Sequence, residues 1–269
     1  MSVAFLPGVA WSADFLSPRS AALGGSGHAG PLLNDTIFLN PAFTSFVPAN
    51  NVSVNYLMYS GDGNQAGRNY NVSIQDGRNP MLQAGAAYTV REDGAFLHMG
   101  ISKAVIARLG FGLGGKLLFD SRTHKNSYDA VFATAAIPFD WLQTAFIIDN
   151  LFETKAGVSR GMRREFILGT KFNVKGIVLV YFDPHFTPLL ADGQRYGFES
   201  GLEFTIMSDL FLRMGAFKNS MIPQIATRGR GYGAGFGWVA PRVSFDYGIQ
   251  RALDPVAVTT HSLGMTLYF

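Results

Sequence analysis

Apolar and polar residues alternate along most of the chain, in segments that begin near residue 51 and end at Gly, Asn, Asp or Pro. A period of two is the pattern of a β-strand whose two faces meet different surroundings. The pattern predicts fourteen strands. They cover residues 51–59, 68–75, 81–91, 94–105, 107–120, 127–138, 141–150, 165–173, 175–183, 195–207, 209–218, 230–239, 241–251 and 259–269.

The two faces of these strands differ in an unusual way. In the segment 230–239, Tyr232, Phe236 and Trp238 lie on one face, and the other face is glycine. A soluble β-sandwich carries many Lys and Glu residues on its outer face, whereas the second face here is mostly Gly, Ser, Thr and Asn. Apolar-out and polar-in alternation over roughly ten-residue strands is typical of transmembrane β-barrels. The sequence therefore predicts an all-β fold, a 14-stranded antiparallel transmembrane β-barrel.

The connections between the predicted strands support this interpretation. Long and short connections alternate, the longest being residues 151–164, and only the tight turn at 92–93 departs from the alternation. Barrels of the bacterial outer membrane have short periplasmic turns and longer outer loops. We therefore expect an outer-membrane location with both termini in the periplasm.

Composition agrees with a lipid-facing surface. Charged residues make up 15% of the chain, against roughly 25% in ordinary soluble domains, and no apolar run reaches the 18 or so residues that a membrane helix needs. The absence of cysteine excludes disulfides and thiolate chemistry. Arg160, Arg163 and Arg164 form the densest basic cluster, which favours a solvated loop over nucleic-acid binding.

The first fifty residues do not follow the strand pattern. Residues 1–16 are a possible signal remnant or N-terminal tail, and residues 17–50, which we name the hatch, are irregular and rich in glycine. Unpaired backbone is not tolerated in lipid, so the hatch lies either outside the barrel or inside its lumen. Glycine-rich inner faces at 107–120 and 230–239 leave room inside, which favours the lumen. The barrel itself is predicted over residues 51–269.

The hatch also resembles a known family. Its motifs, in chain order, are Arg19, Gly24, Gly25, Asp35, Asn40, Pro41 and Ala42. This order is similar to the N-terminal hatch of FadL-type outer-membrane barrels, which include long-chain fatty-acid transporters and the PorV-like proteins of type IX secretion. The resemblance implies a barrel with its hatch in the lumen, and we place the chain in the PorV-like branch because its loops are short.

The end of the chain resembles the signal that barrel-assembly machinery recognises. The residues that carry this resemblance are Gly264, Leu267 and the terminal Phe269. It implies barrel-assembly machinery as a partner during insertion, with outer-membrane lipid and lipopolysaccharide around the finished barrel.

Several charged residues fall on the inward face of the predicted strands. They are Lys116, Lys171, Glu199, Glu203, Arg213 and Asp246. Buried charges need partners, so we expect ion pairs among them or with Arg19 and Asp35 of the hatch. A polar network that pins the hatch is favoured over a transport path.

The sequence contains no local constellation for catalysis. His261 and Ser262 are adjacent in a strand and point to opposite faces, so they form no Ser-His pair. Asp183 and His185 flank Pro184 in a predicted outer loop, where a solvated turn is favoured over a cation site. We therefore predict no enzyme activity, no catalytic residue, no metal and no cofactor.

Two functional hypotheses remain. The first is a non-enzymatic docking or adaptor subunit of a larger envelope or secretion complex, with other envelope proteins as partners; the short loops and filled lumen favour it. The alternative is FadL-like passive transport of hydrophobic small molecules across the outer membrane, which glycine-interrupted strands favour because such glycines mark bulges and close approaches.

Overall fold

The chain folds as a closed antiparallel β-barrel of fourteen strands, which confirms the predicted fold class. The computed structural model describes residues 15–121, 124, 126–158 and 161–269, so most of the predicted tail at residues 1–16 lies outside the described residues. Each strand pairs with its neighbour in sequence, and β14 pairs with β1. Closure leaves no strand edge, so the wall satisfies its own backbone hydrogen bonds.

All fourteen predicted strands correspond to observed ones. They are β1 (Asn50–Gly61), β2 (Gln65–Asp76), β3 (Gln83–Arg91), β4 (Gly94–Ile106), β5 (Leu109–Asp120), β6 (Asn126–Phe139), β7 (Leu142–Asp149), β8 (Glu165–Val174), β9 (Val178–Phe186), β10 (Tyr196–Thr205), β11 (Leu210–Ile222), β12 (Thr227–Ala240), β13 (Val243–Asp254) and β14 (Val258–Tyr268). The helices are short: α1 (Pro18–Ala22), α2 (Asp35–Leu39) and α3 (Lys155–Val158), with 3₁₀ turns at Pro41–Phe46 and Asp62–Asn64. Among the described residues, no helix has the length and apolarity to cross a membrane.

The two faces of the strands separate as the alternation predicts. Tyr232, Phe236 and Trp238 point away from the barrel and are exposed by 51%, 47% and 38%. The same strand turns its glycines inward, and neighbouring strands place Ser244 and Ser262 on the inner face, where both are buried. An exposed apolar band of this kind is the surface that lipid covers in membrane barrels.

Most of the long connections are shorter than the sequence predicts. β11 continues to Ile222 and β12 begins at Thr227, so four residues, 223–226, join them where an eleven-residue loop was expected. A register shift between Lys218 and Ser220 lets the two strands continue past the predicted end. Residues 150–164 remain the longest connection.

The predicted outer loop around Pro184 is wrong. Asp183, Pro184 and His185 belong to β9, and Asp183 and His185 are buried in the lumen. Pro184 has no N–H and interrupts the pairing of β8 with β9 between Ile167 and Thr170. The Asp183 side chain accepts the Thr170 N–H at 3.2 Å beside this interruption, and the strand continues to Phe186 through a proline, which is usually a sign of a strand end.

The hatch lies inside the lumen and touches the wall backbone to backbone. A Cβ added to Gly215 of β11 would overlap the backbone of Leu23 and Gly24, and one added to Gly233 of β12 would overlap the carbonyl oxygen of Ala21. On the opposite wall, Gly112 of β5 faces the backbone of Ala42 in the same way. The inward glycines are therefore the space that the hatch occupies.

Replacing an inward glycine should separate the hatch from the wall. We expect Gly215→Ala to lower the free energy of unfolding by about 1–3 kcal/mol, because the added methyl group overpacks a filled site. Urea unfolding in detergent micelles measures the change.

Gly115→Ala is the matched control, since Gly115 lies on β5 with only the end of the Met99 side chain within 4 Å of the added Cβ, at 3.8 Å. Equal stability of the two variants would contradict the close contact at Gly215.

Candidate functional site

Helix α1 presents Arg19 to the barrel wall. The Ser17 hydroxyl accepts the Ser20 N–H at 3.1 Å and Pro18 occupies the first turn, so a five-residue helix has a defined start. Leu23 ends it, and Gly24 follows with φ of +69°, the left-handed conformation that commonly ends helices. The Arg-to-Gly part of the hatch motif is thus one capped helical turn that aims a guanidinium at the wall.

Arg19 meets a group of buried charges that we name the ionic anchor: Arg19, Asp35, Glu203, Arg213 and Asp246. The Glu203 carboxylate accepts from Arg19 Nε at 3.1 Å and from Arg213 Nε at 2.6 Å. Arg213 also pairs with Asp246, and Arg19 lies 3.8 Å from Asp35. Buried carboxylates between two guanidinium groups are compensated charges, so the anchor ties the hatch to β10, β11 and β13.

The other inward charges have separate partners. Lys116 pairs with Asp149 at 2.7 Å. Lys171 places its ammonium 5.6 Å from the centroid of the Tyr181 ring, and the salt bridges found among the described residues do not include it. The expectation of ion pairs within the inward set or with Arg19 and Asp35 is therefore wrong for Lys116, whose partner is Asp149, and for Lys171, whose contact is with an aromatic ring.

A second group joins the hatch to the wall, and we name it the histidine cluster: His28, Asp183 and Glu199. One carboxylate oxygen of Asp183 accepts from Gly27 N at 2.7 Å, from His28 N at 3.0 Å and lies 2.9 Å from His28 Nδ1. Glu199 Oε2 lies 3.7 Å from the same Nδ1. Burial lowers the pKa of His28, but the bond to Asp183 and the two carboxylates outweigh it and raise the pKa to about 9.

Sequence reasoning missed His28 and wrongly placed Asp183 in a solvated turn. His28 belongs to an irregular segment with no period, and Asp183 stood at the predicted end of its strand. The strand alternation could have placed Asp183 in the lumen, because residues two apart share a face and Asp183 is two residues from the inward Tyr181.

The Asn-Pro-Ala motif shapes the end of the hatch. The Asn40 side chain accepts the Ala42 N–H at 2.9 Å and donates to the carbonyl oxygens of His28 and Thr134. Pro41 begins a 3₁₀ turn against Gly112. The motif therefore connects two parts of the hatch with β6.

The residues of the predicted assembly signal lie in or beside the last strand. Gly264 faces inward beside Pro18, Leu267 points outward and is 40% exposed, and Phe269 donates its N–H to Asn50 at 2.9 Å. Recognition by assembly machinery stays a prediction.

The hatch has a cavity on each side. One cavity, of about 70 Å³, is lined by Val131, Ile147 and Ile167 of the wall and reaches Pro223 at the end with the long connections. The other, of about 60 Å³, surrounds the ionic anchor at the opposite end. Phe38 lines both cavities.

Phe38 is held between aromatic neighbours. Its ring centroid is 4.9 Å from that of Phe15 and 5.2 Å from that of His98 on β4. Such pairs stabilise an aromatic ring by about 0.5–1.5 kcal/mol beyond its burial. This half-buried side chain therefore borders both cavities.

No family model and no curated protein matches the sequence. Solved structures do match in fold. The monoaromatic hydrocarbon channel CymD has a TM-score of 0.71 at 10% identity, over 97% of this chain and 99% of its own. The toluene transporter TbuX of Ralstonia pickettii has 0.66 at 10% identity, over 95% and 98%. A FadL homologue of Pseudomonas aeruginosa has 0.61 at 11% identity, over 94% and 98%.

This is the FadL-type fold. The resemblance that the hatch motifs indicated is confirmed for the fold, since the FadL-type barrels match over nearly their whole length. The comparisons do not show the PorV-like branch.

The docking-subunit hypothesis is contradicted by these neighbours. Their names describe a hydrocarbon channel and a toluene transporter. Short connections and a filled lumen misled the prediction because both are compatible with a FadL-type barrel that conducts small molecules.

The ionic anchor should couple the hatch to the barrel energetically. We expect Arg19→Met or Glu203→Gln to lower the free energy of unfolding by about 3–5 kcal/mol, since each change leaves a buried charge uncompensated. The double variant should lose less than the sum, with a coupling of about 1–3 kcal/mol. Urea unfolding in micelles measures all three variants.

Arg108 and Asp140 provide the control pair, because their 2.8 Å salt bridge is exposed. Arg108→Ala should cost at most about 1 kcal/mol. Additive effects of the Arg19 and Glu203 substitutions would argue against the anchor.

The anchor also predicts a pH dependence. Burial raises the pKa of Asp35 from 3.8 to about 6, although Arg19 and Arg213 act against the shift and Asp246 adds to it. The folded state therefore holds the proton more tightly than the unfolded state, and stability falls as pH rises from about 4 through 6.

Asp35→Asn removes this titration. The free energy of unfolding of the unchanged protein, relative to Asp35→Asn, should fall by roughly 1–3 kcal/mol across that window and stay level above it. A difference that is flat between pH 4 and 7 would exclude the raised pKa.

Proposed function

We propose that this protein allows hydrophobic small molecules to diffuse passively across the bacterial outer membrane. The observation that carries the proposal is the fold match over nearly the whole chain to a monoaromatic hydrocarbon channel. The hatch is part of the argument as well, because it leaves a cavity on each side and the aromatic side chain of Phe38 borders both.

Part of the lining of the cavity near the long connections supports an apolar solute, although His28, Lys116, Glu165 and Glu199 line the same cavity. Val131, Ile147 and Ile167 present a hydrocarbon surface, and Phe15 and Phe38 face them from the hatch side. Moving apolar area from water into such surroundings gains about 25 cal/mol per Å². Lys116 is already paired with Asp149, so a charged solute would have to compete for that partner.

The route would run past Phe38. The ring is half-buried and touches Phe15 and His98, so a change of its side-chain rotamer would connect the cavities without unfolding the hatch. Rotamer changes of this kind are fast compared with solute flux. Transport would then be passive, since the described lumen offers packing and ion pairs, and diffusion down a gradient requires nothing more.

The proposal includes location and orientation. The exposed apolar band and the fold support the outer membrane, with the chain ends on the periplasmic side and lipid and lipopolysaccharide around the wall. Barrel-assembly machinery and other envelope proteins remain predicted partners, and the protein is proposed to act without catalysis.

Truncating the aromatic side chain between the cavities should raise flux. We expect Phe38→Ala to increase toluene entry into proteoliposomes by about tenfold, the effect of removing roughly 1.4 kcal/mol from a barrier. Entry is followed by a toluene-responsive dye inside the vesicles.

Phe46→Ala is the matched control, because Phe46 is also a half-buried hatch phenylalanine but packs under Gly110 in the wall. It should leave entry unchanged. Toluene entry equal to that of protein-free vesicles, for both the unchanged protein and Phe38→Ala, would refute the proposed function.

A further inference from the structure

The histidine cluster brings three ligand-type side chains together from three parts of the chain. His28 belongs to the hatch, Asp183 to β9 and Glu199 to β10. One ligand atom from each lies within 4.8 Å of the other two. His28 and Asp183 are 155 residues apart, so no local sequence motif could indicate the group.

The separations fit one metal ion. Metal–nitrogen and metal–oxygen bonds of zinc-like ions are about 2.0–2.2 Å long, so two ligand atoms of one ion are roughly 3–4 Å apart. His28 Nδ1 is 2.9 Å from Asp183 Oδ2 and 3.7 Å from Glu199 Oε2. All three ligand atoms lie within 4.8 Å of one another, so one ion would be bound between them after the Asp183 and Glu199 side chains close around it.

Glu199 provides an independent observation. Its Oε2 is buried and has no hydrogen-bond partner among the described residues, and its 3.7 Å separation from His28 is too long for a hydrogen bond. A buried acceptor without a partner is costly. A cation at the centre of the cluster would satisfy this oxygen.

The surroundings leave a position for a further ligand. The cavity beside the cluster is lined by His28 and Glu199 and also by Glu165 and His185. Gly25 borders it, and a Cβ there would lie 3.0 Å from the Glu199 carboxyl group. A water molecule can complete the four ligands that such ions take, because Glu165 is already paired with His185 and Arg228.

Ligand chemistry selects the class of ion. One imidazole with two carboxylates suits zinc and similar divalent transition metals, whereas calcium and magnesium prefer oxygen ligands alone. We propose that His28, Asp183 and Glu199 bind one divalent transition metal of the zinc class. The ion joins the hatch to β9 and β10 and takes the place of the proton that otherwise lies between imidazole and carboxylate.

Titration of the purified full chain with Zn²⁺ tests the site. After treatment with a chelator, the protein in detergent should bind one equivalent in a calorimetric titration. His28→Gln and Glu199→Gln should each weaken binding by at least tenfold, since each removes a ligand. His261→Gln is the matched control, because His261 lies on β14 with Tyr247 as its partner, and it should bind as the unchanged protein does.

Co²⁺ gives a second measurement that needs no variant. Binding by the cluster should replace the weak visible spectrum of hydrated Co²⁺ with the stronger bands of a low-coordinate ion. The proposal is overturned if the unchanged protein leaves that hydrated spectrum in place, or if both glutamine variants bind Zn²⁺ as tightly as the control. In that case a protonated His28 between two carboxylates explains the cluster. Toluene flux is not used in either measurement, so the outcome is separate from the proposed transport.

Discussion

The contact between the hatch and the glycine face of the wall is the constraint on which the rest of the structure depends. Gly215, Gly233 and Gly112 let the hatch backbone approach two sides of the barrel at distances that a methyl group would prevent. Close packing of this kind fixes the depth at which the hatch lies in the lumen. Arg19 and His28 reach their partners on β9 and β10 only because the hatch is held at that depth.

The charged residues of the lumen meet their partners because the hatch is held against the wall. Arg19 joins Glu203 and Arg213 on one side of the hatch, and His28 joins Asp183 and Glu199 on another. A buried pair adds little net stability compared with apolar packing, but removal of one partner is costly. These groups therefore specify where the hatch sits more than they stabilise the barrel, whose strands are held by their own hydrogen bonds.

Function follows from what the packing leaves open. The hatch fills the lumen but leaves small cavities on both sides, with Phe38 between them. A barrel of this size without a hatch would be a water-filled pore, and a completely filled one would conduct nothing. This lumen lies between those two cases, and the proposed passage of apolar solutes depends on Phe38, which borders both cavities.

The sequence by itself determined the barrel. The alternation of apolar and polar residues determined the number of strands and the lipid-facing side of each. A period of two is a local property that can be recognised in each strand separately. The hatch motifs also pointed to the lumen, since the glycines of the hatch and those of the wall can be read directly from the sequence.

Only the tertiary structure decided the partners: Glu203 for Arg19, Tyr181 for Lys171, and Asp183 for His28. Pro184 shows the limit, because proline usually ends a strand, yet β9 continues through it, and beside the interrupted pairing the Asp183 side chain accepts the Thr170 N–H. Which side chains meet inside a closed barrel depends on strand register and on the depth of the hatch, and neither is encoded by any local stretch of residues.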